Sequence, residues 1–553
     1  MDALIKKDAV ILIILCVSAM TFQSCKDNGG GGSSGSLPGV YTYHNNLARD
    51  GTNIRENILT PANVNTATFG KLFSCPVDGA AYTQPLWVPS LGIGGGTHNV
   101  IFVATQHDSL YAFDADSSHC TQLWQVNLLD SFHGGTAGES SVPWADVGSG
   151  YMDIQPEIGV TGTPVIDPVS RTLYVVSKSE GPPGTFHQRL HAIDLATGDE
   201  KLGGPVDIAA SVSGGGYDNS SGSISFNPQT ENQRSALALV KGVVYIAWAA
   251  HEDTDYYHGW VIGYRASTLS QTAVYNVTAD GNRGGIWMGG GAPAADRSGH
   301  LYFSVGNGTF DGNSATAPND DFGDSVLKLS PSAGFAISDW FTPFNQSDLE
   351  NFDLDLGSGG VVLLPDQSSG PAHLLITGGK EGKLYLLNRD AMGNFCASCT
   401  TTDTNVLQSF MAASAFGTPA FWQNGLYFAG VDSSLMRFAF NPSSGTFDTT
   451  PSSQTGNNFP FPAATPSISS QGSSNGIVWA IDSSQYGLPT PNQGPAVLHA
   501  YDATNLSKEL WNSAQAALNR DQAGDAVKFT VPTVVNGKVY IGTRTELDVY
   551  GLL

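Results

Sequence analysis

The sequence predicts an all-β fold, an eight-bladed β-propeller of four-stranded antiparallel blades whose ring is closed by strands from both ends of the chain. Two sequence elements that alternate from end to end predict it, together with a composition rich in turn formers. The first element is a Pro-initiated apolar strand, a short turn, and a second strand rich in Tyr, Val and Ile. It reads "TQPLWV" with "NVIFVAT", "TGTPVID" with "RTLYVVS", "GGAPAAD" with "GHLYFSV", "GTPAFWQNGLYFAG", "ATPSISS" with "NGIVWAID", and "VPTVVNGKVYIGT". The second element is a strand, an acidic or polar turn, and a strand often ending in Trp, as in "LYAFDADSSHCTQLWQ", "LHAIDLATGDEKL" and "LHAYDATNLSKELW". An Asp at the corner is what a hairpin turn favours.

Joined, the two elements supply four strands over roughly 40–60 residues, the period of a propeller blade. Inner strands are expected to begin near Thr83, Thr161, Ser235, Ala292, Gly359, Thr418, Thr465 and Val531. The last unit ends at "ELDVYGLL" without an outer strand, and "FGKLFSCPVD" near the start has the missing character. Pairing the two closes the ring and removes exposed sheet edges. With 41% hydrophobic and 13% charged residues, the 553-residue chain can bury a large core, and its 65 glycines and 29 prolines suit many short strands. A formal net charge of -24 repels phosphate backbones and anionic lipid, which argues against nucleic-acid binding.

Ahead of the repeats, Lys6-Lys7 precede an apolar run from Ala9 to Leu15, and the segment ends at Phe22-Gln23-Ser24-Cys25. A basic stretch before a short apolar stretch reads as an export signal over 1–24. A small residue before Cys25 points to a lipoprotein, with ordinary secretion and a retained anchor as the other readings. Residues 25–40, with "GGGGSSGS", read as a flexible tether, and 41–553 as the propeller. The expected localisation is the cell envelope, periplasmic or surface-facing, with membrane contact only through a lipid on Cys25, or else secretion. An oxidising compartment lets the remaining cysteines pair. Cys396 and Cys399 are expected to form a local disulfide, with Cys75 and Cys120 a second candidate pair. Thr400 follows Cys399, so the motif is not a haem attachment site.

"AIDLATGDEKL" resembles the Ala-x-Asp-x-x-Thr-Gly-Lys-x-x-Trp repeat of pyrroloquinoline quinone (PQQ) propellers, and "AFDADSSHCTQLW" and "AYDATNLSKELW" are looser versions of it. The resemblance runs from about Tyr43 to Leu553 and implies the propeller fold. It implies one of two functions, because fold does not fix chemistry. One is a quinoprotein dehydrogenase oxidising a small alcohol or sugar, with PQQ and Ca²⁺ at the ring centre and an external electron acceptor. The other is a cofactor-free lipoprotein propeller that binds protein or glycan partners as a scaffold.

Under the dehydrogenase reading the resemblance assigns residues one by one. Glu252, with Asp253 beside it, stands at the family's metal-ligand Glu, and Asn307 in "YFSVGNGTFD" at its metal-ligand Asn. Asp353 stands at the catalytic Asp, with Asp355 its rival. Lys380 stands at the cofactor-contacting cation, and Trp287 is the candidate plate under the quinone. Each residue also has a plainer reading. Glu252 sits in a polar loop, Asn307 suits a left-handed turn between glycines, either Asp can cap a turn, and Lys380 can face solvent. The acidic loops "APNDDFGDS" and "HEDTD" could hold a structural Ca²⁺ without any quinone. The chain lacks the adjacent Cys-Cys of many alcohol-oxidising members. It also lacks HExxH and Walker A motifs, the starting points of zincin and nucleotide chemistry.

Overall fold

The computed structural model describes residues 39–147, 153–254, 256–312, 320–331, 334–487 and 493–553. The export signal, Cys25 and most of the tether lie outside the described residues. Eight small, mainly antiparallel sheets follow one another along the chain as blades of a propeller, with a separate hairpin of Ser211–Ser213 and Ser223–Ser225. Their innermost strands are Leu86–Ile93, Val165–Asp167, Ala238–Val240, Ala294–Ala295, Val362–Leu363, Ala420–Trp422, Ser467–Gln471 and Thr533–Val535. Each begins a few residues after the position expected from the repeat.

The recurring acid is the local cause of the third-to-fourth-strand turn. Asp194 Oδ1 accepts the Ala196 N–H at 2.9 Å, and Asp502 Oδ1 accepts that of Thr504 at 3.0 Å. The same bond, from Asp116 N–H to Asp114 Oδ1 at 2.9 Å, turns the first blade. Between blades the apolar faces pack in pairs. Trp248 and Trp260 of the third blade meet Val165, Tyr174 and Leu190 of the second, and Trp479 and Trp511 of the seventh meet Val539 and Tyr550 of the eighth. Burying such rings contributes about 2–3 kcal/mol each, so the ring is held by a chain of blade-to-blade cores.

Closure is as expected. Phe69–Pro76 is the outer strand of the eighth blade and pairs antiparallel with Glu546–Leu552. Cys75 on that strand is bonded to Cys120 in the turn of the first blade, so a disulfide joins the last blade to the first. Cys396 and Cys399 form the second disulfide, in the connection ahead of the fifth blade's outer strand.

One feature has no counterpart in the repeat. The segment from Val40 to Asn53 circles the axis and caps inner strands in order. Trp87, Ile166, Ala295, Leu363, Phe421 and Ile468 donate backbone N–H groups to Val40, Tyr41, Leu47, Ala48, Asp50 and Gly51. Asn53 Nδ2 then reaches Val534 O of the eighth blade at 2.9 Å. Arg49 is fully buried here and donates to Pro293 O, Tyr43 O and Thr42 Oγ1, while desolvation pushes its pKa down to about 9.

Antiparallel order decides where functional side chains emerge. In a four-stranded blade the turn from second to third strand and the connection from outer strand to the next inner strand open on one face of the ring. Glu252 follows the second strand of the third blade (Val243–Ala250), Asn307 that of the fourth (Leu301–Ser304) and Lys380 that of the fifth (Leu374–Gly378). Trp287, Asp353 and Asp355 lie in blade-to-blade connections. All six positions therefore share a face.

Candidate functional site

On that face is a cavity of about 360 Å³ whose walls include Glu252, Trp287, Asp353, Asp355 and Lys380. Asn307 joins it through the acids: its Nδ2 donates to Asp353 Oδ1 at 2.9 Å and its backbone N–H to Asp355 Oδ1 at 2.6 Å. Lys380 Nζ stands 2.8 Å from Asp353 Oδ1 and 2.6 Å from Asp355 Oδ2. The six residues singled out from sequence thus come together, five as lining and the sixth as support.

Asn307 is not the left-handed turn residue its glycine neighbours suggested, because neither it nor Gly306 nor Gly308 has a positive φ. The reason for Gly306 is space. A Cβ there would come within 2.4 Å of Asp355 Oδ1 and 3.1 Å of the Trp287 ring. Left-handed backbone occurs instead at Glu252 (φ 54°), Asp253 (φ 49°) and Asp353 (φ 55°). Non-glycine residues in that region are held there by their surroundings, and such strain gathers at functional sites.

Electrostatics separate the two aspartates. The Asp353 side chain is 68% exposed, whereas that of Asp355 is 9% exposed. Desolvation raises the Asp355 pKa against the opposing pull of Lys380, and the two carboxylates together raise that of Lys380 despite its own desolvation.

The lining that sequence reasoning missed comes from the connections into the third, sixth, seventh and eighth blades. They deliver Arg234, Phe416, Phe461 and Phe529, as the connections into the fourth and fifth deliver Trp287 and Asp355. Each lies a few residues before an inner strand, a repeat position that would have found them. Phe416 meets Phe461 edge-on at 5.1 Å, and Phe461 meets Phe529 at 6.1 Å, so one wall is aromatic. Asp153, also in the lining, donates its N–H to Glu252 Oε1 at 3.0 Å, and its carboxylate is ion-paired to Lys528.

The lining combines an aromatic wall with the cations Arg234, Lys380 and Lys528 and the carboxylates Asp153, Glu252, Asp253, Asp353 and Asp355, so it offers a ligand apolar faces and charge of both signs. Asn307 Oδ1 is buried without a hydrogen-bond partner among the described residues, an amide oxygen of the type a hard cation takes. Among the described residues, no three or more His, Cys, Asp or Glu are grouped to hold a metal by themselves. Ca²⁺ at Glu252 and Asn307 would need oxygens from the organic ligand as well. The same finding leaves the acidic loops without a metal cluster among their described residues; Asp255 and residues 313–319 lie outside these. Neither disulfide lines the cavity, so none stands where an adjacent Cys-Cys would.

Behind the cavity wall, Lys178 is buried and donates to Gln229 O at 2.7 Å and Glu231 O at 3.0 Å. Desolvation pushes its pKa down to about 7. The folded-state pKa is below the unfolded one, so between them the unfolded chain binds more protons and stability rises with pH. Lys178→Met removes that slope. Urea unfolding is expected to find the parent gaining roughly 4 kcal/mol on Lys178→Met as pH rises from 6 to 10.

No protein-family model and no curated protein sequence matches the chain. Solved structures do match it in fold. The quinohemoprotein alcohol dehydrogenase of Comamonas testosteroni aligns over 93% of this chain and 80% of its own, with a TM-score of 0.59 and 12% identity. A europium-containing methanol dehydrogenase aligns over 93% of this chain and 98% of its own, with a TM-score of 0.58 and 12% identity. A quinohemoprotein alcohol dehydrogenase from Pseudomonas putida HK5 aligns over 93% and 80%, with a TM-score of 0.56 and 14% identity. At these identities the likeness is one of architecture: the chain is an eight-bladed propeller of the kind these dehydrogenases use.

Proposed function

We propose that this protein is an exported quinoprotein-type dehydrogenase that oxidises an alcohol or sugar with PQQ and Ca²⁺ and passes the electrons to an external acceptor. The observation that carries the reading is the group Asp353–Lys380–Asp355, braced by Asn307, in an aromatic-walled cavity on the axis. When bound, PQQ supplies a two-electron oxidant and Ca²⁺ a Lewis acid. Lys380 would face the cofactor, Trp287 would lie under it, and Glu252 and Asn307 Oδ1 would hold the cation. Asp355, whose burial raises its pKa, would accept the proton of the substrate hydroxyl at a carboxylate oxygen, with Asp353 nearer the mouth. The aromatic wall keeps water from the reacting face. Lipid attachment at Cys25 in the cell envelope belongs to the same proposal, and the two disulfides among the described residues support an oxidising compartment.

A non-catalytic reading, a scaffold for a protein or glycan partner, draws on Tyr217 and Tyr256. They are 72% and 54% exposed and stack at 5.4 Å with 20° between planes, Tyr256 lying close after Glu252. Reconstitution with PQQ and Ca²⁺, followed by dye reduction over a panel of alcohols and sugars, separates the two. The dehydrogenase reading expects PQQ-dependent turnover with at least one substrate class. No turnover on any of them would leave the scaffold.

A further inference from the structure

Arg234 lines the cavity and is only 6% exposed, yet among the described residues no carboxylate lies within ion-pair distance of it. Its side chain makes one long hydrogen bond, to Gly289 O at 3.3 Å, and otherwise faces the rings of Phe529 and Tyr82 at 5.2 and 5.8 Å. Asp153, which acts on it electrostatically, is already ion-paired to Lys528. Gly290 keeps room for the guanidinium, because a Cβ there would lie 2.5 Å from Nη1. Two residues earlier, Asn232 also lines the cavity. It is 1% exposed, and both Oδ1 and Nδ2 are without a partner among the described residues.

A buried cation without an anion and a buried amide without partners are each costly, and both border the same cavity. A single ligand group relieves them together. A carboxylate accepts from Arg234 and from Asn232 Nδ2, and a hydroxyl or N–H beside it donates to Asn232 Oδ1. We propose that Arg234 and Asn232 form a carboxylate-binding subsite of this cavity. The subsite does not depend on the dehydrogenase reading; that reading bears only on whether the carboxylate belongs to PQQ or to a hydroxy-acid substrate such as a sugar acid.

Calorimetric titration and thermal unfolding of the full chain test it, with PQQ, gluconate and neutral glucose as probes. At least one carboxylate probe is expected to bind, and Arg234→Met to weaken that binding by about 100-fold. Asn232→Leu is expected to weaken it by about 10-fold, since one hydrogen-bonding group is lost. Glucose, which has no carboxylate, is expected to lose far less affinity than the carboxylate probes in Arg234→Met. Without ligand, Arg234→Met is expected to unfold about 2 °C above the parent, because an unneutralised buried charge has gone. PQQ binding without gluconate binding assigns the carboxylate to the cofactor. Gluconate binding without PQQ binding assigns it to the substrate and removes the PQQ reading while the subsite stands. The proposal is overturned if neither carboxylate binds, if both variants bind as the parent does, or if ligand-free Arg234→Met unfolds below the parent.

Discussion

Lys380→Met is expected to lower stability by about 3 kcal/mol at pH 7, the scale for breaking a buried ion pair, and to cut PQQ-dependent dye reduction at least about 100-fold. The stability loss arises at Asp355. That residue is 6% exposed and meets Lys380 Nζ at 2.6 Å, so without the lysine its charge is left buried beside a second carboxylate. Asp353 contributes little to the loss, because water screens a side chain that is 68% exposed. Lys380→Arg keeps the charge and should retain most of the stability. Adding Asp355→Asn to Lys380→Met removes the stranded charge and should recover about half of the loss. Urea midpoints of the four proteins check this. A Lys380→Met protein as stable as the parent would mean that Asp355 is satisfied by other groups.

Cys75→Ala/Cys120→Ala is expected to cost about 4 kcal/mol by the loop-closure relation. The bridge spans 45 residues and includes most of the first blade, so the unfolded chain without it gains considerable freedom. It also ties the eighth blade's outer strand, supplied by the N-terminal region, to the first blade. Losing it therefore loosens the one seam where ring closure rests on a strand from the other end of the chain. Cys396→Ala/Cys399→Ala is the control, since that bridge spans 3 residues and constrains little. Thermal unfolding should show a large fall for the first pair and a small one for the second. Equal falls would contradict the seam argument.

The strands were legible because their causes are local. An Asp accepting the N–H two residues on marks the hairpin corner of the first, second and seventh blades, and the apolar pairs before it mark the inner strands. The closing strand "FGKLFSCPVD" was legible because the last repeat lacked its partner. The six site residues could be placed on one face because antiparallel order fixes which turns open there. What escaped depends on distant partners. The segment from Val40 to Asn53 carries no repeat, and its hydrogen bonds reach residues as far along the chain as Val534. Arg234, Phe416, Phe461 and Phe529 come from the connections into four different blades, and they share only a position before an inner strand, not a residue type that marks it. The left-handed reading of Asn307 failed because its flanking Gly306 is needed for the close approach of Asp355, a residue far along the chain.

The most direct measurement is the crystal structure of the full chain grown with PQQ and Ca²⁺. The account predicts one PQQ in the axial cavity, in contact with Lys380 and over Trp287, with a cation bound by Glu252 and Asn307 Oδ1. A cavity that stays empty at saturating PQQ, or a quinone bound elsewhere on the ring, would contradict it.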